Sequence, residues 1–164
     1  LRVSPLQRAR ETMAPIAARH SDLELVIDDR IIEAANALEG QSFGRFNQRL
    51  LLPRNLRHLY NPLRPSWGEP YPLIVKRMHA AISDAAVAAG EGGRAVIVSH
   101  ELCIWMARLA AEGRPLVHNP AKRECHLASV TTFTLIEGRI VRVDYTEPAA
   151  DLVPVRKAVV RPGQ

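Results

Sequence analysis

Four consecutive apolar residues, Ala95 to Val98, end on the pair Ser99-His100 and run at once into a helical pattern in which Leu102, Trp105, Met106 and Leu109 fall on one side. An uninterrupted apolar run of this length predicts a strand buried on both faces, the kind found in parallel sheets covered by helices. In open α/β sheets, ligands sit where such strands end and helices begin. The unpaired N–H groups of the first helical turn favour an anion there. Two readings of Ser99-His100 stand side by side: a helix cap followed by an ordinary surface histidine, or a polar pair facing a ligand.

At 164 residues the chain has the size of one domain with a single substantial core. No stretch reaches the apolar length needed to span a bilayer. The net charge of +5 is carried almost wholly by arginine, since Lys76, Lys122 and Lys157 are the only lysines. The arginines are scattered, without the basic run or interleaved aromatics of a nucleic-acid face. A basic balance suits a small anionic substrate equally well. Cys103 and Cys125 show no metal or redox spacing, and Cys103 falls on the apolar side of its helix. Reduced thiols and a cytoplasmic setting are the expectation.

The segments flanking this strand alternate in the manner of an α/β domain. Leu1-Arg2-Val3 reads as the last residues of a strand, so the chain is expected to be the C-terminal part of a longer domain. Ser4-Pro5-Leu6-Gln7 reads as a helix start with Ser4 as cap, Pro5 at the first helical position and Gln7 completing a capping box. Leu6, Met13 and Ile16, with Ala9 and Ala17, predict a helix down to about His20. Leu23 to Ile27 reads as a strand, closed by a turn at Asp28-Asp29. From 44 to 67 the pattern is broken by Pro53, Pro62 and Pro65 and rich in arginine, an excursion that carries substrate contacts or only connects. Pro70 to Ala89 is the clearest helix, with Tyr71, Ile74, Val75, Met78, Ile82 and Ala85 on one face and a glycine cluster from Gly90 to stop it. His126 to Ile136 and Arg139 to Tyr145 predict a hairpin around Glu137-Gly138, and 148–164 an irregular tail.

Three separated features then line up: Ser4-Pro5-Leu6-Gln7-Arg8-Ala9 with Thr12 one turn on, Glu33 followed by Glu39-Gly40, and Val98-Ser99-His100. Gly68-Glu69 ahead of a helix carrying Arg77, and Ala128-Ser129-Val130-Thr131 near the end, extend the series. Together they resemble the histidine phosphatase superfamily, the phosphoglycerate-mutase-like fold, in its cofactor-independent phosphatase branch. That family shows an S-P-L-x-R-A-x-x-T segment, a glutamate in an E-x-x-x-G-x-W-E-G-like context, and a V-S-H strand end. The resemblance covers nearly the whole chain and implies a domain over 1–147. It implies an α/β three-layer sandwich, a mainly parallel sheet with helices on both faces. The implied function is hydrolysis of a phosphomonoester through a phosphohistidine intermediate, or the related mutase-type phosphotransfer. A small phosphorylated substrate is implied, with no metal, no cofactor, and neither nucleic acid nor membrane as partner.

Within that resemblance, Arg8 and His100 are the phosphate-binding residues, and Glu33 and His100 the catalytic ones. Arg8 near a helix start can present a two-pronged fork to phosphate oxygens. Glu33 is the general acid for the leaving alcohol, and His100 as an imidazolium stabilises charge on the transferring group. Without the other motifs, Arg8 is a solvated helix arginine and Glu33 a loop carboxylate paired with Arg30 or in water. The family's nucleophile is another histidine, in an Arg-His-Gly motif on the first strand, and no Arg-His-Gly occurs in this chain. Arg19-His20 and Arg57-His58 neither follow a strand nor precede glycine. Further departures are Asn36 and Leu38 near the glutamate motif, Pro70 after Gly68-Glu69, and Glu101 after the histidine. A competing class is a non-catalytic module binding a phosphorylated ligand or partner through Arg8 and His100. The geometric expectation is that Arg8, Glu33 and His100 converge at the carboxyl end of the Ala95–Val98 strand.

Overall fold

Three short parallel strands set the frame. The computed structural model describes residues 1–34 and 68–152. Strand β1 (Arg2–Val3) lies between β2 (Val26–Ile27) and β3 (Ile97–Val98). Arg2 is level with both Val26 and Ile97, and Val3 with both Ile27 and Val98. The ladder runs one residue further, with Ser4 N–H donating to the Val98 carbonyl and Asp28 N–H to that of Val3, each at 3.0 Å. All three strands therefore finish together, which sets Ser4, Asp28 and Ser99 in a row.

Successive strand residues face opposite sides, and here the two sides meet different helices. Val3 and the half-buried Val98 pack with Ala9 and Met13 of α1 (Gln7–Arg19). Ile97 packs instead with the core built by α2 (Tyr71–Ala89) and α3 (Glu101–Ala111). That core contains Ile74, Met78, Ala81 and Ile82 from α2, Cys103, Trp105, Met106 and Leu109 from α3, and Ile31. The apolar spacing of both helices predicted these faces. No helix among the described residues is long and apolar enough to cross a membrane.

The last strands, β4 (Val130–Ile136) and β5 (Arg139–Thr146), form an antiparallel hairpin. Its two-residue loop holds Glu137 at φ 51° and Gly138 at φ 75°, the positive pair that suits a tight hairpin turn. Phe133 and Leu135 pack on the α2–α3 core. Among the described residues the hairpin is a sheet of its own.

Several sequence expectations are corrected. Ser4 does not cap α1: the helix starts at Gln7 behind Leu6, without a side-chain cap, and Pro5 precedes it. Gln7 donates to Glu11 rather than closing a capping box. Ser4 sits at a strand end, fully buried, where its Oγ accepts from the Leu6 N–H at 3.4 Å and also meets a side chain from another strand end. Only Val26 and Ile27 of the Leu23–Ile27 run pair as strand, and β4 begins at Val130 rather than His126. The Ala95–Val98 run is not buried on both faces: Ala95 is exposed and Val96 is 39% exposed, and among the described residues β3 pairs along one edge only. Asn36, Leu38, Glu39-Gly40, the 44–67 excursion and residues 153–164 of the tail lie outside the described residues.

Asp28 ties the end of β2 to its two flanking arginines. Its carboxylate is 6% exposed and accepts from Arg2 at 3.0 Å and from Arg30 at 3.0 and 2.8 Å. Hydrogen bonding to Arg30, then the Arg30 charge and Arg2, hold the Asp28 carboxyl below the usual range despite burial. A depressed carboxyl stabilises the fold above its ordinary pKa and loses that contribution as the pH falls through the folded value. Asp28→Asn should cost roughly 2–3 kcal/mol at neutral pH, the scale of charge-assisted bonds lost from a buried acceptor. In urea titrations the gap to the wild type should close below the ordinary aspartate range; an unchanged gap in acid would show that Asp28 is held some other way.

Candidate active site

The strand ends deliver the site. His100 follows β3 as the residue before α3, and its side chain is only 4% exposed. Its Nε2 lies 2.8 Å from Ser4 Oγ, and its Nδ1 lies 3.3 Å from Glu33 Oε2. The same Glu33 oxygen is 3.4 Å from Arg8 Nη2. Arg8 is the second residue of α1, and its side chain is 60% exposed. Arg8, Glu33 and His100, far apart in sequence, thus meet at the carboxyl ends of β1 and β3.

The partners constrain the imidazole. A carboxylate only accepts, so Nδ1 carries a proton toward Glu33. Nε2 then donates to Ser4 Oγ or accepts from its hydroxyl, and both protonation states of the ring are hydrogen-bonded. Ser4 was missed as a site residue because its sequence context imitates a helix cap. The signal available was its position directly after an apolar strand end, the same setting as Ser99-His100.

Electrostatics favours an anion between Arg8 and His100. Burial raises the Glu33 carboxyl, but the hydrogen bond and charge of His100, then Arg8, outweigh it and leave the group below the ordinary glutamate range. The site holds the Glu33 carboxylate against the Arg8 guanidinium and the His100 imidazole. His100 lacks a side-chain cap on α3, and the first N–H groups of that helix add positive potential on the same side. Arg30 is not the partner of Glu33; its guanidinium serves Asp28 and Asp84. Ser99 does not cap α3: the cap position is taken by His100, and the Ser99 hydroxyl donates to the Ile31 carbonyl at 2.8 Å. Glu101, at 54% exposure, turns to Arg123 at 3.4 Å.

A family model for the histidine phosphatase superfamily (branch 1) matches residues 1–147. The chain belongs to that superfamily. Two uncharacterized proteins of Mycobacterium tuberculosis, Rv0525 and MT0547, are each 48% identical to it over 147 residues, covering 90% of this chain and 72% of the relative. As a histidine phosphatase superfamily member the chain has an α/β fold, and membership supports phosphatase- or mutase-type chemistry on a phosphorylated substrate. The superfamily's S-P-L-x-R and V-S-H segments are the stretches whose ends meet here, at Ser4, Arg8 and His100.

His100→Ala should raise the Glu33 carboxyl pKa by removing its strongest stabilising partner. Arg8→Ala should raise it less, since that contact is longer and more open to water. Carboxyl-carbon NMR titration measures both; a Glu33 midpoint indifferent to His100 would mean that the two do not interact in solution.

Proposed function

We propose that this chain forms the phosphate-binding and acid-bearing part of a phosphomonoester hydrolase that works through a phosphohistidine intermediate on a small phosphorylated substrate. The observation that carries the reading is the Glu33 carboxylate held between Arg8 and His100, an arrangement that stabilises an oxyanion. Arg8 and His100 bind the phosphoryl oxygens. A nucleophilic imidazole forms the N–P bond as the P–O bond to the alcohol breaks, and Glu33 gives that alcohol its proton. Water then attacks the phosphohistidine, passes a proton to Glu33, and phosphate leaves. An arriving phosphate ester takes Arg8 and His100 from Glu33 and adds its own negative charge, so the affinity of Glu33 for a proton rises on binding.

The nucleophile is not supplied by another histidine of the described residues. His20 closes α1, His79 contacts the Ala107 carbonyl, His118 contacts Arg123, and His126 precedes β4. We propose that a further strand bearing Arg-His-Gly supplies it, paired along the edge of β3 that no strand of the described residues occupies and completing a three-layer sandwich. Val96, exposed just before β3, supports that placement. By itself, the chain then acts as the competing class describes, a non-catalytic binder of phosphorylated ligands. Free Cys103 and Cys125 support a reducing, cytoplasmic setting.

Calorimetry with inorganic phosphate tests the pocket. Arg8→Ala and His100→Ala should each weaken binding by roughly tenfold or more, the worth of a charge-assisted hydrogen bond. Glu33→Gln should tighten binding at neutral pH by removing the resident anion. With p-nitrophenyl phosphate the chain should show no turnover, and a protein extended by the Arg-His-Gly strand should turn over with acid-labile phosphohistidine. Robust turnover by the chain itself, abolished by changing His20 or His58, would overturn the assignment.

A further inference from the structure

Glu33 hangs from a backbone whose carbonyls are claimed one after another. The Arg30 carbonyl accepts from Arg77 Nη1 at 2.6 Å, and the Ile31 carbonyl from Ser99 Oγ at 2.8 Å. The Ile32 carbonyl accepts twice, from Arg77 Nη1 at 2.9 Å and from the Cys103 thiol at 3.2 Å. Burial pushes the Cys103 thiol up, so it stays protonated and remains a donor. Three consecutive peptide units leading to Glu33 are thus held from the side of α2 and α3, while the Ile31 side chain is fully buried in their core.

Arg77 is saturated. A guanidinium has five N–H donors, and here two go to the carbonyls of Arg30 and Ile32, two to the Glu69 carboxylate at 2.9 and 2.8 Å, and one to Cys103 Sγ at 3.4 Å. Its side chain is mostly buried, as is that of Glu69. Residues 30 and 32 precede the 35–67 segment and Glu69 comes after it, so one side chain fastens both flanks of that segment.

We infer that Arg77 is a positioning residue, which with Ser99 and Cys103 holds the Arg30–Ile32 backbone so that the Glu33 carboxylate lands between Arg8 and His100. The inference rests on the phosphate-site reading for its functional meaning, and on hydrogen-bond geometry for its substance. Arg77 touches neither His100 nor Arg8; it acts through the backbone. Lysine keeps the charge but has three donors without the planar fork, too few for the five acceptor atoms that Arg77 serves.

The test compares Arg77→Lys and the milder Ser99→Ala with the wild type by Glu33 carboxyl NMR titration, phosphate calorimetry and thermal melting. Both variants should move the Glu33 midpoint upward toward that of an ordinary glutamate, Arg77→Lys by more. Phosphate should bind Arg77→Lys roughly threefold more tightly, the scale of a partly exposed ion pair removed as competitor. Lower melting temperatures with an unmoved Glu33 midpoint would overturn the inference and leave Arg77 a purely structural residue. If Arg77→Lys does not fold, an unmoved midpoint in Ser99→Ala overturns it equally. A moved midpoint with no phosphate binding in any variant, Glu33→Gln included, supports the positioning role and overturns the phosphate reading instead.

Discussion

The register of β1 against both neighbours is the constraint on which the rest of the structure depends. Because Val3 is level with Ile27 and Val98, the residues after each strand emerge at one height. A slip of one residue would turn every side chain of the slipped strand to the other face. Val98 would leave the α1 core, Ile97 would leave the α2–α3 core, and Ser4 and His100 would no longer meet at 2.8 Å. Apolar packing on two sides therefore sets a hydrogen bond in the site. The pairing is short, two residues per strand, so its precision comes from the cores above and below rather than from the ladder.

Charge is handled by the same economy along the stretch from Asp28 to Glu33. Asp28 answers two arginines, the Arg30 side chain is shared between Asp28 and Asp84, and the Arg30 carbonyl is taken by Arg77. Buried polar groups are costly unless paired, and here the pairing also directs the chain. Glu33 is the carboxylate of this stretch that meets Arg8 and His100.

β3 marks where local pattern and observed burial part company. Its apolar residues match a strand covered on both faces and along both edges, yet among the described residues it pairs only with β1, and the β4–β5 hairpin stands as a separate sheet. Exposed Val96 just before β3 and exposed Val130 on β4 are residues with strong strand preference. An open edge of this kind is a template for another strand, and the composition of β3 is that of an interior strand rather than a protected edge.

Much of the helical architecture was determined by the sequence by itself. The apolar spacing of Tyr71–Ala89 and Glu101–Ala111 specified which faces are buried, and Glu137-Gly138 specified a tight hairpin turn, because these are local preferences of a few residues. The grouping of Arg8, Glu33 and His100 was legible too, through motif order and not through any local rule. Only the tertiary structure decided what Ser4 does. A serine before proline reads as a cap to any local rule, and becomes the partner of His100 only once β1 and β3 are paired. The role of Arg77 is of the same kind. Its five donors are spent on groups from before and after residues 35–67 and on the neighbouring helix, and hydrogen bonds between distant segments leave no periodicity in the chain that makes them.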